Sequence, residues 1–311
     1  MIEKQVMRFI EDLRTQNPLP LRITLWDGSS AALSDDPRVE LRLNGVRAAR
    51  YLMNPSLDGL GQAFVEGLID VHGDVGDVID AAAGLARASG SEHWLGKLPT
   101  WLARHTRDSD RKAIEYHYDV SNEFYSLWLD PRMVYSCAYF PNGDEDLATA
   151  QRLKLDHICR KLMIEPGQTM LDIGCGWGAL AIHAAREYGA KAVGITLSKN
   201  QYELANERVR EAGLQDSVEI RLQDYRDVPG EASFDRISSV GMFEHVGRAQ
   251  LPGYFGKIRR LLKPGGLLMN HGITAGGTQN DRLGAGLGDF IERNIVPGGE
   301  LLHVSHVLRV M

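Results

Sequence analysis

From about residue 170 to residue 275, short apolar segments alternate with longer segments of helical periodicity. The first pairs are "TMLDIG" with "ALAIHAAREYG", and "KAVGITL" with "KNQYELANERVREAG". The series continues through "SVEIRLQD", "FDRISSVGM", "LPGYFGKIRRLL" and "GLLMNHGIT". This alternation predicts a mostly parallel, doubly wound α/β sheet with helices on both faces. Such sheets bind ligands beyond the C-terminal ends of their strands.

The composition narrows the class of protein. The 311 residues are 43% hydrophobic and 24% charged, and the formal net charge of −6 gives no general attraction for nucleic acid. The three cysteines have no metal-ligand spacing, so we predict neither a metal site nor a disulfide framework. No leader pattern opens the sequence, and no apolar run reaches the ~18 residues of a membrane span. We expect a cytoplasmic protein with peripheral membrane contact.

The chain divides by pattern into three parts. Residues 1–92 predict a small N-terminal α+β domain, a candidate for lipid association, in which residues 2–15 form a helix. Its two hairpin signals are the turn dipeptides "DG" at 27–28 and "NG" at 44–45. Residues 93–112 predict a linker, and residues 113–311 the catalytic domain.

The stretch from residue 92 to residue 112 permits two interpretations. It combines Trp94 and Trp101 with an excess of cationic side chains, which suits attachment to an anionic membrane surface. A linker whose tryptophans pack against either domain explains the same residues equally well. Pro99 also interrupts any continuous amphipathic helix.

A glycine-rich turn joins the first strand of the α/β region to its helix. Gly174, Gly176 and Gly178 permit a tight turn and close approach of a ligand to the backbone. With Ala179 the pattern also matches a dinucleotide fingerprint, which alone is a weak signal. Asp172 places a negative charge toward the crevice, where a cationic amino or sulfonium group fits better than a pyrophosphate.

The second strand of the region bears on the same choice. It ends without the carboxylate that usually binds an NAD ribose, and offers the neutral side chains Thr196 and Gln201 instead. NAD therefore remains a minor alternative, as does a turn that serves only helix packing.

Several long motifs carry a family resemblance. The segments "LDIGCGWGALAIHAA", "ITLSKNQ" and "FEHVG", with "YHYDVSNEFYSLWLD", "MVYSCAYF" and "FIERNIVPGGEL", resemble the cyclopropane-fatty-acid synthases and their mycolic acid relatives. The resemblance runs from about 110 to 305, and the N-terminal hairpins resemble the branch that acts on bacterial phospholipids. It implies a Rossmann-like class I methyltransferase that uses S-adenosylmethionine.

The implied reaction converts the cis double bond of an unsaturated phospholipid acyl chain into a cyclopropane. The alkene attacks the sulfonium methyl group, and a base then removes a proton from that methyl so that the ring closes. A hydride shift without ring closure would give a methyl-branched or methylene product instead. A catalytically silent lipid-binding protein and an NAD oxidoreductase are further alternatives.

The resemblance implies a cofactor site and a base site. Tyr118 and Asp119 would close over the cofactor, although Tyr118 could equally be a packing residue, and Asp224 could be a plain helix cap. The cofactor residues are Tyr118, Tyr135, Ser136, Leu171, Asp172, Gly174, Cys175, Gly176, Trp177, Gly178, Ala179, Thr196, Leu197, Ser198, Gln201, Gln223 and Asp224. Bicarbonate, the base, would be held by Cys137, Glu244, His271 and the backbone of Ile273.

Two of these four base-site positions, Cys137 and His271, also have ordinary explanations. Glu244 and His271 are predicted to end two strands, where functional side chains gather in this architecture. A cysteine among aromatic residues is often a buried hydrophobe, and a histidine at a strand end is often a satisfied core group.

The end of the sequence gives one more expectation. A methyltransferase sheet usually finishes with two further strands, whereas residues 289–311 read as helical or irregular. The family's anion site also takes a tyrosine from that region, and the last tyrosine here is Tyr254. We therefore expect the C-terminal strands to be missing from this sequence. Candidate partners are a separate C-terminal fragment, a second copy in a homodimer, and the membrane surface with its acyl chains.

Overall fold

The computed structural model describes residues 2–16, 18–88, 121–275, 290 and 301–311. The chain forms two compact units, Met1–Pro99 with Gln279–Ile295, and Thr100–Thr278 with Val296–Met311. The predicted linker, with Trp94 and Trp101, lies outside the described residues.

The first unit contains a four-stranded mixed sheet with the strand order β2-β1-β3-β4. Apolar side chains of its strands and helices form one core, which includes Ile10, Ile23 and Leu52. This confirms the small N-terminal α+β fold. Its elements are α1 (Ile2–Gln16), β1 (Leu21–Thr24), β2 (Ser30–Ala32), β3 (Val39–Leu43), α2 (Ala49–Met53), α3 (Leu57–Val65), β4 (Ile69–His72) and α4 (Val75–Ala88).

One of the two predicted hairpins in this unit is wrong. β1 and β2 pair antiparallel around Gly28, whose φ of 87° requires glycine, as the first hairpin predicts. After β3, however, the chain enters the 3-10 turn Val46–Ala48 and then α2. The segment "VRAARYL" does not alternate apolar and polar residues, and it buries Ala48 and Leu52 at helical spacing. β3 pairs instead with β1 in parallel and with β4 antiparallel.

The second unit contains a five-stranded sheet with the order β7-β6-β5-β8-β9, and every pairing in it is parallel. This confirms the predicted doubly wound α/β sheet. The chain proceeds from β5 to one side and later crosses to the other, so the switch point lies at β5. The strands are β5 (Thr169–Ile173), β6 (Lys191–Thr196), β7 (Val218–Leu222), β8 (Phe234–Val240) and β9 (Leu262–His271).

Six described helices of five to fifteen residues belong to the same unit as this sheet. They are α5 (Asn122–Ser126), α6 (Leu147–Lys161), α7 (Ala179–Tyr188), α8 (Lys199–Glu211), α9 (Leu251–Leu261) and α10 (Val304–Val310). Helix α10 buries Val307 in the same apolar cluster as Tyr254 of α9. His303 forms an isolated bridge with Ala275, and no described residue extends the sheet beyond β9. No described helix is both long and apolar enough to cross a bilayer.

Asp235, near the N-terminal end of β8, forms hydrogen bonds with residues at the N-terminal ends of β5 and β9. Its Oδ2 accepts hydrogen bonds from the backbone N–H of Thr169 (2.8 Å), from the Thr169 hydroxyl (2.8 Å) and from Lys263 Nζ (2.9 Å). These donors, the Lys263 ammonium first, lower the pKa of Asp235 to about 2. The carboxylate therefore contributes stability that is present above its unfolded pKa near 4 and is lost as the pH falls toward 2.

We expect Asp235→Asn to lower the free energy of unfolding at pH 7 by about 1–2 kcal/mol. The deficit should shrink when the measurement is repeated between pH 4 and pH 3. Urea unfolding of both proteins across this range tests it, with Asp216→Asn at an exposed position as the control. A deficit of the same size at every pH would mean that the charge of Asp235 is not the cause.

Candidate active site

The turn after β5 owes its shape to glycine. Gly174, Gly176 and Gly178 have φ values of 77°, 54° and 81°, a region that other residues rarely adopt. The backbone N–H groups of Gly174 and Cys175 both donate to the carbonyl of Ile195, at 3.0 Å each. A side chain at Gly176 would meet open space, so glycine is needed there for conformation rather than for room.

A cleft opens at this turn, at the C-terminal ends of the central strands. It has a volume of about 1020 Å³, counting the part open to solvent. Most of the predicted cofactor residues line it, which brings together parts of the chain that are nearly 90 residues apart. They are Tyr135, Ser136, Asp172, Gly174, Cys175, Gly176, Trp177, Ala179, Thr196, Leu197, Gln201 and Gln223.

Four predicted cofactor residues do not line the cleft. Leu171 is fully buried in the core, and Gly178 begins α7 and packs against Ala205. Ser198 caps α8. Asp224 accepts from the backbone N–H of Arg226 at 2.8 Å and pairs with its guanidinium, so it has the helix-cap role considered above. Tyr118 and Asp119 lie outside the described residues.

Asp172 is the acidic residue of the cleft. Its side chain is only 3% exposed, and the Ser238 hydroxyl donates to it at 2.6 Å. Burial raises the pKa of Asp172 to about 6, so the group is mainly ionised at pH 7. A cationic ligand group beside it would relieve the cost of burying this charge.

Gln223 offers a second unsatisfied group in the cleft. Its side-chain nitrogen donates to the carbonyl of Asp227 at 3.0 Å, whereas its Oε1 is buried and has no hydrogen-bond partner in the described structure. A free carbonyl oxygen of this kind accepts a hydrogen bond from an amino group. Two other lining residues are already paired, because the Thr196 hydroxyl donates to Gln201 at 2.7 Å.

Glu244 lies beyond β8 and not at its end as predicted, because the strand stops at Val240. It belongs to the 3-10 turn Phe243–His245 and is 4% exposed. Its Oε1 accepts from the backbone N–H of Ile273 at 2.6 Å, while its Oε2 is buried without a partner among the described residues. Burial raises the pKa of Glu244 above its ordinary value.

His271 ends β9, as predicted, and lies opposite Val240 in the pairing of β8 with β9. Its Nδ1 is buried and has no hydrogen-bond partner in the described chain. Burial, together with the positive charges of Lys154 and Lys161, lowers the pKa of this imidazole, so it is neutral at pH 7. A neutral ring has one donor and one acceptor nitrogen, and can therefore pass a proton.

Gly272 allows the turn that carries Glu244 to lie against the end of β9, directly after His271. A Cβ on Gly272 would overlap Cε1 of Phe243 and lie 2.8 Å from Oε1 of Glu244. Only glycine leaves room for this approach, which places the Ile273 N–H against the carboxylate.

The cysteines differ in exposure. Cys137 is exposed, it does not line the cleft, and no described hydrogen bond joins it to Glu244 or His271. Cys159 and Cys175 are buried, which raises the pKa of Cys159 to about 12 and that of Cys175 well above its usual range. The described residues contain no cluster of three or more His, Cys, Asp or Glu side chains that could hold a metal ion.

The sequence analysis missed Lys154 and Tyr225, which also line the cleft. Lys154 could have been noticed, because it falls at helical spacing on the apolar face of α6, with Ala150, Leu155 and Ile158. A lysine on the buried face of an amphipathic helix is unusual.

Comparison with known proteins places this site in a family. Residues 105–311 match the family profile described as mycolic acid cyclopropane synthetase. The chain belongs to this family. A second profile, described only as a domain of unknown function, matches residues 9–91.

Similarity to individual proteins supports the same family assignment. A probable fatty acid methyltransferase of Pseudomonas putida is 47% identical over 93% of this chain and 73% of its own length. The cyclopropane-fatty-acyl-phospholipid synthase of Escherichia coli K12 is 45% identical over 61% of this chain and 47% of its own. The mycolic acid cyclopropane synthase CmaA1, solved with SAH and CTAB, has a TM-score of 0.59 and 35% identity, covering 64% of this chain and 72% of that one.

Proposed function

We propose that this chain transfers a methylene group from S-adenosylmethionine to the cis double bond of unsaturated acyl chains in membrane phospholipids. The observation that carries the proposal is a pair of buried polar atoms, Oε2 of Glu244 just beyond β8 and Nδ1 of His271 at the end of β9, which have no hydrogen-bond partner in the described structure. The E. coli relative, a cyclopropane-fatty-acyl-phospholipid synthase, supports the substrate class.

The cleft has groups that suit S-adenosylmethionine. Asp172 offers a buried negative charge for its ammonium group, and the free Oε1 of Gln223 can accept from the adenine amino group. The positive-φ glycines of the turn let a ligand approach the backbone closely, without side-chain interference. The bound cofactor supplies the electrophilic methyl group.

The base site has hydrogen-bonding atoms that bicarbonate could satisfy. Oε2 of Glu244 and Nδ1 of His271 both need a partner, and bicarbonate has one O–H donor and several acceptor oxygens. The Ile273 N–H already donates to Glu244, and Cys137 is exposed, so two side-chain atoms rather than four groups are available here. Bound bicarbonate would supply the base that removes a proton from the transferred methyl.

The chain's own residues would keep this base active. Oε2 of Glu244 would accept a hydrogen bond from the O–H of bicarbonate and so would hold the ion in place. His271, held neutral by burial, does not trap the base as an ion pair. Glu244 is almost fully buried, so bulk water has little access to this side of the site. Water there would otherwise capture the carbocation left by alkene attack.

The Pseudomonas relative favours a second product. A fatty acid methyltransferase would form the same cation, which a hydride shift followed by loss of a proton converts into a methylene product without ring closure. A saturated methyl branch would require a separate hydride donor to reduce that product. Vesicles of cis-unsaturated phospholipid, incubated with the protein and methyl-labelled S-adenosylmethionine, separate the two outcomes. Mass spectra of the released fatty acids should show a gain, above that of the label itself, of about 14 daltons for a ring or a methylene and about 16 daltons for a saturated methyl branch, and fragmentation distinguishes the ring from the methylene. No label in the lipid would refute both activities.

We expect turnover to depend on bicarbonate. His271→Ala should lower the rate by about 10² to 10³, because it removes one of the two groups that hold the base. Added bicarbonate should restore part of this loss, measured as label transfer in buffer from which carbon dioxide has been removed. His157→Ala, on the same unit, is the control. A wild-type rate that is independent of bicarbonate would contradict this base.

We further propose that the protein works peripherally on the cytoplasmic membrane surface. Its sequence between 93 and 112 supports this through Trp94, Trp101 and nearby cations. Trp94→Ser with Trp101→Ser should reduce flotation with anionic vesicles at least fivefold and leave cofactor affinity unchanged. High salt should weaken flotation as well, since screening shortens the reach of exposed charges to less than about 8 Å. Neutral phosphatidylcholine vesicles serve as the control, and equal flotation with both would contradict an electrostatic contribution.

A further inference from the structure

The function proposed above does not assign a role to Lys154. It lies on α6, and its side chain is 7% exposed although it carries an ammonium group. The residue lines the same cleft as Asp172 and the glycine turn. A buried ammonium is costly unless an anion or several acceptors compensate it.

The contacts of Lys154 satisfy only part of its capacity. Its Nζ donates to the Ser136 hydroxyl at 2.6 Å, and no other described residue accepts from it. An ammonium has three N–H donors, so two remain for a ligand. Gln151, one turn earlier, donates to the carbonyls of Val134 (3.2 Å) and Ser136 (2.9 Å), which fixes the segment that Lys154 contacts.

Lys154 and Asp172 are opposite charges that share one cleft. The buried carboxylate of Asp130 and then that of Asp172 favour the charged form of Lys154, and Lys154 favours that of Asp172, yet no ion pair joins Lys154 to either carboxylate in the described part of the chain. Burial lowers the pKa of Lys154 to about 8, so the group remains mostly charged at pH 7. A cleft with a buried cation and a separate buried anion complements a zwitterion.

We propose that Lys154 binds the α-carboxylate of S-adenosylmethionine, opposite the Asp172 that faces its α-ammonium group. This inference rests on the proposed function, because it assumes that cofactor. The carboxylate is the only anionic group of S-adenosylmethionine, since its adenosine is neutral and its sulfonium is positive. It is therefore the one part of the cofactor that can neutralise the charge of a buried ammonium.

Calorimetric titration with two ligands tests the role of Lys154. Decarboxylated S-adenosylmethionine lacks only the carboxylate, and the wild type should bind it about 10- to 100-fold more weakly than the complete cofactor. Lys154→Met should lower affinity for S-adenosylmethionine by about tenfold or more, and leave affinity for the decarboxylated ligand within about threefold. Lys191→Met, at an exposed position where β6 begins, is the matched control and should keep the full preference.

Four results would overturn the inference. Equal losses for both ligands in Lys154→Met would mean that Lys154 only supports Ser136. An unchanged preference in that variant would mean that the carboxylate binds elsewhere. A wild type that binds both ligands equally refutes the inference without any variant, whereas a wild type that binds neither refutes the proposed cofactor itself, and the inference with it.

Discussion

Glu244→Gln is expected to lower the rate of lipid alkylation by about a thousandfold or more while cofactor affinity stays within about twofold. The amide keeps an oxygen that can accept from the Ile273 N–H, so the turn retains its shape. It loses the buried carboxylate oxygen that has no partner in the described structure and that would hold the base. Label transfer to vesicles measures the rate, and calorimetry measures cofactor binding.

An exposed residue provides the control for this variant. Glu231→Gln, in the loop before β8, makes the same chemical change at the surface and should leave the rate unaltered. If Glu244→Gln abolished cofactor binding instead, Glu244 would belong to the cofactor side of the cleft. If it retained a normal rate, another group would have to hold the base.

Gly272→Ala is expected to reduce activity at least a hundredfold and to lower the free energy of unfolding by about 1–3 kcal/mol. The new methyl group would overlap the Phe243 ring and press on Oε1 of Glu244. The buried ring cannot yield without moving Glu244 away from Ile273. Rate measurements and urea unfolding together test the prediction.

Gly256 supplies a matched control for the added methyl group. It lies within α9, where a Cβ would have nothing within 4 Å. Gly256→Ala should therefore leave activity unchanged and raise the free energy of unfolding by about 0.5–1 kcal/mol, because alanine favours the helix. Full activity and stability in Gly272→Ala would show that the turn after β9 adapts, and would remove the steric argument.

The sequence predicts the α/β sheet well because its signal is repeated. Eight successive segments show either strand or helix periodicity, and parallel strands connected by helices permit few other arrangements. The first unit offers shorter elements and fewer repeats. There "NG" at 44–45 suggests a hairpin, but the alanines that follow it bury one face of a helix. The short strand β4 directly follows a segment of helical periodicity, so the sequence pattern does not separate it from the end of that helix.

The site shows a different limit of prediction. Glycines and a strand-to-helix turn locate the cleft, because backbone conformation restricts residue type directly. Ser198 and Asp224 lie in the same motifs but cap helical turns, which is the other common use of these residue types. Lys154 belongs to no motif of the site. Its position in the cleft depends on tertiary burial beside Ser136, which the order of residues along the chain does not reveal.

The unequal exposure of the three thiols has a practical consequence. Thiolates are the species that react with alkylating reagents, and burial keeps Cys159 and Cys175 protonated and enclosed. A maleimide dye added to the folded protein will therefore react first at Cys137, next to the cleft-lining Ser136. The natural chain thus already carries a single attachment point for fluorescence or spin labels beside its ligand cleft, without any engineered cysteine.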